Sequence, residues 1–416
     1  MKLNKILADK RFLHGDMVVW MIFLLLCMIS VIEVYSASSN MSFKTGQYWE
    51  PIIEHGTYVI VGIALAWIIH LFPCNIFKLL STFLLHFVAY PMLIWVLFFG
   101  SKVNDAARWL VIGGKTIQPS EIAKIALVGF VAFILATLRE GNNASKLACK
   151  IVFVEVLAVV GLIVTENAST AGIIFLVMYG ICFFARVPNK YMGWLTGLFV
   201  AAAIGGITLA YSIPESTLEK WSSQEYKNSI FHRLPTQIHR ITDKHVLPED
   251  PADYDITDNI QVTHAQIAVA TCNIIGKGPG NSVQRDFLPQ AYSDFIYAII
   301  IEEGGIASGA FVMFLYLLLM WRAMKIASRC KSLFPAYLVM GLALMMVVQA
   351  MVNMTVATQA VHIVTGQPLP LISRGGTSTF INCTYIGIIL SVSRSAKKKE
   401  MKKETETEVV QAYSIK

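Results

Sequence analysis

The sequence predicts an all-α membrane protein of ten transmembrane helices, with one large extracytoplasmic loop between the seventh and the eighth. Two observations support this fold class: 55% of the 416 residues are hydrophobic, and only 15% are charged. A soluble domain typically has about 25% charged residues, and the mean hydropathy of this chain is +0.58. Because a helix satisfies its own backbone hydrogen bonds, we expect the apolar runs to cross the hydrocarbon as helices.

Ten apolar runs are candidates for these spans. They cover residues 17–37, 56–72, 79–99, 121–138, 151–165, 168–185, 191–211, 295–321, 335–357 and 377–393. The first run is longer than the ~7–15 apolar residues of a cleavable signal peptide. We therefore interpret it as a retained span within a single membrane domain that covers residues 1–416.

The basic residues predict the orientation of the chain. If the N-terminus is cytoplasmic, the inner segments hold 21 of the 34 Lys and Arg, concentrated in segments 1–16, 186–190 and 321–332 and in the mixed-charge tail 394–416. Cytoplasmic segments carry an excess of Lys and Arg, so both termini are expected in the cytoplasm. The net charge of +7 reflects mainly this bias, and we infer no binding of nucleic acid from it.

One outer connection, residues 212–294, is far longer than the others, and long ordered loops tend to be functional. Its second half turns apolar at helical spacing and is expected to pack on the bundle at the membrane surface. Gly276, Gly278 and Gly280 follow in "GKGPGNS", without the spacing of a nucleotide-binding loop. A turn that brings the backbone close to the bilayer or to a lipid pyrophosphate fits this pattern better.

The stretch "LPQAYSDFIYAIIIEEGG" places three carboxylates at or inside an apolar run, where a charge costs at least ~2.5 kcal/mol. Asp294 stands at the start of the run and is expected at the water-facing rim of the bundle. Glu302 and Glu303 would lie about 12 Å deeper along a continuous helix. We favour a structural role for these two glutamates, paired with a cation of the bundle.

Two further blocks contain polar residues beside the membrane. In "AARWLVIGGKTIQPSEIAK", the "QPSE" portion predicts a helix start, which places Lys124 one turn inside the membrane. Lys124 either extends outward to water or holds an anionic headgroup, and both interpretations remain open. In "TGQPLPLISRGGTST", Pro and Gly interrupt the helix, which implies a protein-lined cavity. Arg108, Lys124 and Arg374 are expected to line its outer part, and three cations suit a pyrophosphate.

His264 and Gln266 are candidates for contact with a sugar or a pyrophosphate, although a polar residue at the interface without a ligand is the alternative. The seven cysteines are scattered, with no CxxC pair, so no disulfide framework or thiolate metal site is indicated. The metal content is unknown from the sequence. A divalent cation, Mg²⁺ or Mn²⁺, shared by Asp294 and a pyrophosphate is chemically reasonable.

The blocks "AARWLVIGGKTIQPSEIAK", "AQIAVATCNIIGKGPGNS", "LPQAYSDFIYAIIIEEGG" and "VNMTVATQAVHIVTGQPLPLISRGGTSTF" resemble the signature blocks of the SEDS family (shape, elongation, division and sporulation). This family includes FtsW, RodA and SpoVE, and the sequence of these blocks is closer to FtsW than to RodA. The resemblance covers nearly the whole chain. It implies an inverting peptidoglycan glycosyltransferase that joins lipid II disaccharides into β-1,4 glycan at the outer face of the bacterial cytoplasmic membrane.

The resemblance also implies partners and site residues. The partners are a class B penicillin-binding transpeptidase and other membrane proteins of the divisome or elongasome. Asp294 matches the catalytic aspartate of the family. The candidate substrate-binding residues, from these blocks and from the large loop, are Arg108, Trp109, Gln118, Ser120, Glu121, Lys124, Gln266, Ser373, Arg374, Gly375 and Gly376.

The chain departs from the family pattern at three places. "TENASTAG", residues 165–172, replaces "QPDLGTA", so a role for that aspartate does not transfer, and Glu166 is a nearby carboxylate. Arg374 stands where the family has Tyr. "AYS" precedes Asp294 instead of "AHT", which puts Tyr292 where the family has His.

Two other functions remain as alternatives to a septal polymerase. One is a lipid II flippase, since ten spans with broken helices also describe carriers. Carriers place their site near the midplane and often have repeated halves, whereas the polar blocks here cluster at the outer surface and no internal repeat is found. The other alternative is an elongation-specific polymerase like RodA.

Overall fold

A computed structural model describes residues 14–38, 49–99, 101–103, 106–112, 115–165, 167–222, 260–288, 291–360 and 365–414, together with Pro235 and Ile238. The chain is mainly helical. The helices are α1 (Met17–Ala37), α2 (Glu50–Ile69), α3 (Ile76–Phe99), α4 (Pro119–Thr137), α5 (Lys146–Val164), α6 (Ala168–Phe184), α7 (Asn189–Ser212), α8 (Glu215–Ser222), α9 (Ile260–Ala270), α10 (Ile296–Arg329), α11 (Leu333–Ala357) and α12 (Gly376–Ser414).

The helical membrane fold is confirmed, whereas the number of spans is not. Within the described ranges, eight helices are long and apolar enough to cross a membrane: α1 to α5, α7, α10 and α11. At 17 residues, α6 is shorter, and α12 is not among the eight. The two most buried spans, α4 and α11, pack against each other at the centre of the bundle.

Local chemistry explains where several helices begin. Asp16 caps α1 by accepting hydrogen bonds from the backbone nitrogens of Val18 and Val19, at 2.9 and 3.3 Å. Pro119 occupies the first turn of α4, where its missing N–H costs nothing. Asp16 also pairs with Arg322 of α10, so the cap of the first helix joins α1 to α10 on the side expected to face the cytoplasm.

Two short sheets depart from the all-α expectation. Strands β1 (Ser101–Val103), β2 (Ala106–Ile112) and β3 (Lys115–Ile117) form an antiparallel sheet between α3 and α4. A second pair, β4 (Arg139–Glu140) and β5 (Asn143–Ala144), joins α4 to α5. Paired strands satisfy the backbone hydrogen bonds of these two connections locally.

The long helix α10 is broken at Gly305, whose φ of 76° and ψ of −179° are not helical. The Tyr297 hydroxyl donates to the Gly309 carbonyl at 3.0 Å, and the Ser308 hydroxyl donates to the Ile300 carbonyl at 2.7 Å. Residues twelve apart in a straight helix would be about 18 Å apart. The half-helix of residues 296–304 therefore folds back against the rest of α10.

Residues 273–284, called here the Gly-rich segment, fill this break. The backbone nitrogens of Lys277 and Gly278 donate to the carbonyls of Glu302 and Glu303 at 3.0 and 2.8 Å, and Ile306 N–H donates to the Asn273 carbonyl at 3.2 Å. The segment thereby replaces backbone bonds that the helix loses at Gly305. The glycines thus bring the backbone of this segment close to the backbone of α10.

Candidate active site

Asp294 lies at the junction between the large outer loop and the half-helix 296–304, and it is half-buried. Its carboxylate accepts a hydrogen bond from the Ser293 hydroxyl at 3.0 Å. Its backbone carbonyl accepts from Asn353 Nδ2 of α11 at 2.7 Å. A Cβ atom on Gly366 would lie 3.4 Å from Asp294 Oδ2, so Gly366 lies directly beside the carboxylate.

The Pro- and Gly-containing block after α11 packs directly beside Asp294. The Ser373 hydroxyl donates to the Ser293 carbonyl at 2.7 Å, and the Arg374 N–H donates to the Tyr292 carbonyl at 3.0 Å. The Ser373 oxygen also accepts from Leu369 N–H at 2.7 Å. The structure thus brings Ser373 and Arg374, two of the expected site residues, to the segment that carries Asp294.

The Arg374 side chain contacts Glu54 and Tyr292. Its guanidinium pairs with the Glu54 carboxylate of α2, and its Cζ lies 5.1 Å from the centre of the Tyr292 ring. Tyr292 and Arg374 are two of the positions at which the chain departs from the SEDS pattern. The two departures therefore contact each other in this structure.

Lys124 is buried, with 1% of its side chain exposed. Its Nζ lies 2.7 Å from Glu121 Oε1 and donates to Gln349 Oε1 at 2.8 Å. Gln349 in turn donates to the Pro368 carbonyl at 3.0 Å. The interpretation that Lys124 extends outward to water is wrong, because its helix is central and an internal carboxylate balances its charge.

Two of the three expected cations, Lys124 and Arg374, are paired with carboxylates in the described structure. Lys124 and Arg374 each hold a carboxylate, Glu121 and Glu54 respectively. The backbone of Arg108 lies in β2, and its side chain lies outside the described part of the chain. The structure links four polar residues to the block that ends at Arg374. They are Glu121 and Lys124 of α4 and Gln349 and Asn353 of α11, called here the polar wall.

The expected site residues did not include Asn353 of this wall or its neighbours Gln367, Thr170 and Asn167. Asn353 donates to the carbonyls of both Asp294 and Gln367, each at 2.7 Å. Gln367 donates to the Thr170 hydroxyl at 2.7 Å, and Asn167 caps α6 beside it, with its Oδ1 3.1 Å from the Thr170 nitrogen. Asn167 belongs to "TENASTAG", the block that departs from the family pattern. Its neighbour Glu166 lies outside the described residues.

A signal for two of these residues was present in the sequence. Gln349 and Asn353 are polar residues inside an apolar span, and their spacing of four places them on one helix face. Polar side chains at such positions usually face the interior of a bundle and serve a function. Glu54 and Tyr58 of α2 gave no comparable signal, because they lie near the end of a span, where polar residues are ordinary.

Glu302 and Glu303 do not lie deeper than Asp294, contrary to the sequence-based expectation. Glu303 accepts from the hydroxyl of Ser36, near the outer end of α1. Ser30, about 9 Å further from that end, donates to the carbonyl of Ile372, beside the Asp294 segment, at 2.8 Å. The expectation assumed a continuous helix, whereas residues 296–304 run back toward the outer end of α1.

Glu302 is fully buried and holds the Gly-rich segment. Lys277 Nζ lies 2.5 Å from Glu302 Oε1. The Ser282 hydroxyl donates to Oε2, and the backbone nitrogens of Val283 and Gln284 lie 3.2 and 3.3 Å from the two oxygens. These donors compensate a buried carboxylate, since burial of an unpaired charge would be costly.

Glu303 is also buried and contacts the same segment. Its oxygens accept from the backbone nitrogens of Gly280 and Ser282 at 2.9 and 3.3 Å, and Arg285 Nη1 lies 3.7 Å from Oε1. The cations beside Glu302 and Glu303 come from the outer loop and not from a helix of the bundle. Both glutamates thus tie the loop to the break in α10.

The remaining expected site residues lie at the edges of this arrangement. Trp109 is half-buried in β2, Gln118 is half-buried next to α4, and Ser120 is buried in the first turn of α4. Gly375 immediately precedes α12. Gly376 begins that helix, and a Cβ on it would lie 3.4 Å from the Tyr58 ring.

Two candidate residues of the large loop, His264 and Gln266, lie on α9. Gln266 is half-buried on α9, which packs against α10 and α11. His264 contacts the Gln284 side chain at 2.7 Å and stacks on Phe287. Across the described ranges, no group of three or more His, Cys, Asp or Glu side chains is arranged to hold a metal ion.

The fold and the site define a polytopic helical membrane protein whose acidic residue is held between a broken helix and an interrupted polar block. Residues 16–398 match the family model of the FtsW, RodA and SpoVE cell cycle proteins. The chain belongs to this family, as the four sequence blocks indicated.

Two curated bacterial relatives cover most of the chain. A Halomonas elongata protein named probable peptidoglycan glycosyltransferase FtsW is 30% identical over 389 residues, which covers 90% of each chain. A Bacillus subtilis protein of the same name is 28% identical over 385 residues, which covers 91% of this chain and 88% of the relative.

Two solved structures share the fold. The rod shape determining protein RodA of Thermus thermophilus aligns with a TM-score of 0.63 and 20% identity, covering 91% of this chain and 97% of RodA. A chain from a structure on the coordination of polymerization and crosslinking by a peptidoglycan synthase complex aligns with a TM-score of 0.67 and 21% identity. It covers 92% of this chain and 98% of its own length.

Proposed function

We infer that this protein polymerises peptidoglycan glycan strands from lipid II at the outer face of the bacterial cytoplasmic membrane, in septal synthesis. The observation that carries this inference is the placement of a half-buried Asp294 at the junction of the outer loop and a broken helix, two residues after Tyr292, whose ring lies 5.1 Å from the Arg374 Cζ. The names of the FtsW relatives support it.

The chemistry follows from these groups. A sugar hydroxyl attacks the anomeric carbon of a second lipid-linked disaccharide, the new C–O bond forms, and the bond to the diphosphate breaks. Asp294 accepts the hydroxyl proton as the general base. Arg374 stabilises the negative charge that grows on the leaving diphosphate. A single displacement inverts the anomeric centre, and no covalent bond to the protein forms.

Other residues are assigned supporting roles. The candidates Arg108, Trp109, Gln118, Ser120 and Gln266 contact the substrate from the outer sheet, the start of α4 and α9. Glu121 and Lys124 act as a buried pair that positions Gln349 and, through it, the block at Pro368.

We also propose two further membrane spans, the orientation of the chain and a protein partner. Helix α6 and the apolar part of α12 complete ten spans, with both termini cytoplasmic and residues 212–294 outside, as the distribution of Lys and Arg favours. The partner is a class B penicillin-binding transpeptidase, which the fold shared with a chain of a peptidoglycan synthase complex supports.

The direct test is incubation of the purified full-length protein with lipid II, with and without the class B transpeptidase of the same bacterium. We expect a ladder of glycan chains on a gel, strengthened by the partner. Transport of lipid II across proteoliposomes, without polymer under either condition, would contradict the polymerase assignment.

A further inference from the structure

Glu54, near the outer end of α2, faces the segment that carries Asp294. Its Oε2 accepts from the Arg374 guanidinium, and its Oε1 accepts from the Tyr58 hydroxyl at 3.0 Å. Both oxygens are therefore engaged. No motif in the sequence singles out this glutamate, and the mechanism above does not use it.

The guanidinium that Glu54 holds lies against Tyr292, two residues before Asp294. The Arg374 backbone is bonded to the Tyr292 carbonyl at 3.0 Å, and its Cζ lies 5.1 Å from the Tyr292 ring. A guanidinium presents the same pair of donors to a carboxylate and to a phosphate. The Glu54 carboxylate thus marks a position for an anionic group next to the segment that carries Asp294.

The pair between Glu54 and Arg374 is suited to exchange. The Glu54 side chain is 44% exposed and the Arg374 side chain is 17% exposed, and ion pairs with such access to water are weak. A diphosphate has more negative charge and more acceptor oxygens than one carboxylate. It therefore competes better for Arg374 than a monophosphate does.

We propose that Glu54 is a competing anion whose carboxylate occupies the anion position at Arg374 until the diphosphate of the lipid-linked substrate displaces it. The inference rests on the proposed function. Every anionic lipid must displace Glu54, so this contact lowers the affinity for all of them by a similar factor. A weakly bound headgroup is then excluded at lipid concentrations at which a diphosphate, which binds Arg374 more strongly, still occupies the site.

Binding of labelled polyprenyl diphosphate and polyprenyl monophosphate to the full-length protein in nanodiscs tests this proposal. Glu54→Gln removes the charge and keeps a hydrogen-bond acceptor for Tyr58. We expect it to tighten diphosphate binding about two- to fivefold, the size of one exposed ion pair. Monophosphate binding tightens by a similar factor, because both lipids displace the same carboxylate.

Glu50→Gln is the matched control, since Glu50 lies one turn earlier on the same exposed part of α2. We expect it to leave both affinities within twofold of the unmodified protein. Tyr58→Phe, which frees one oxygen of Glu54, gives a smaller gain and serves if Glu54→Gln fails to fold. Adding Arg374→Gln removes the gain.

Unchanged or weaker diphosphate binding by both Glu54→Gln and Tyr58→Phe overturns the proposal, as does an equal gain from Glu50→Gln. Polymerisation of lipid II, measured in parallel, separates this failure from that of the proposed function. If the unmodified protein polymerises while Glu54→Gln binds no better, only the role of Glu54 is wrong. If it binds the probes as predicted but never polymerises, the proposed function is wrong.

Discussion

Gly276 and Gly305 meet backbone to backbone, where the outer loop enters the break in α10. A Cβ on Gly276 would lie 2.3 Å from the Gly305 nitrogen, and one on Gly305 would lie 2.2 Å from the Ile274 carbonyl oxygen. Both glycines have positive φ, 77° and 76°. Neither position accepts a side chain without moving the segment that leads to Asp294.

Gly276→Ala is therefore expected to lower stability and polymerisation together. Positive φ alone destabilises an alanine by about 1 kcal/mol, and the overlap with the α10 backbone adds to this. The matched control is Gly280→Ala, whose φ is also positive, at 80°, but whose Cβ meets open space. Thermal unfolding of both variants checks the prediction, and equal melting temperatures would show that the close contact is unimportant.

Glu302→Gln is expected to be more harmful than Lys277→Met, although the two residues form one ion pair. Glu302 is fully buried and accepts four hydrogen bonds, and an amide nitrogen in place of one oxygen would face those donors. The expected cost is about 2–3 kcal/mol for Glu302→Gln. Lys277 is 32% exposed, and its loss is expected to cost about 1 kcal/mol.

Unfolding temperatures and initial rates of lipid II consumption measure this difference. Similar losses in both variants would mean that Lys277, and not the backbone of the Gly-rich segment, is the main partner of Glu302.

Lys124→Met is expected to damage folding before it affects substrate use. Removing one member of a buried pair leaves an uncompensated charge on Glu121, at a cost of about 3–5 kcal/mol. The double variant Glu121→Gln with Lys124→Met removes both charges and is expected to recover much of that stability. Folded yield and melting temperature are the measurements. A normally folded Lys124→Met protein that no longer binds lipid II would restore the interpretation of Lys124 as a headgroup ligand.

The contact between Tyr292 and Arg374 predicts non-additive kinetics. Tyr292→His or Arg374→Tyr alone disrupts a cation–π contact worth about 0.5–2 kcal/mol, and Arg374→Tyr also removes the cation assigned to the leaving diphosphate. The double variant is expected to remain slow, but its loss is smaller than the sum of the two single losses, because the shared contact is lost only once. Initial rates of all four proteins give the coupling energy. Purely additive losses would show that the two departures are unrelated.

The sequence predicted the helical membrane fold and the segments that form the site, because hydropathy and Pro/Gly punctuation are local properties. The break in α10 was missed. "EEGG" was treated as part of a continuous span, although Gly304 and Gly305 adjoin two carboxylates there. Only the tertiary contact with residues 273–284 makes this break favourable, so periodicity alone could not reveal the fold-back.

The electrostatics of the site show the same limit. Lys124 and Arg374 were recognised as site residues, but their carboxylate partners decide what they can bind. Glu121 is three residues from Lys124 and was accessible to a sequence argument about helix neighbours. Glu54 is 320 residues from Arg374, and no local pattern connects them.

The rate of lipid II polymerisation by Asp294→Asn, compared with the unmodified protein, tests the central claim most directly. Asn keeps the size of the side chain and can accept the hydrogen bond from Ser293, yet it cannot take a proton at neutral pH. We predict a folded protein with an unchanged melting temperature and no detectable glycan chains. Full polymer yield from this variant would contradict the assignment of Asp294 as the base.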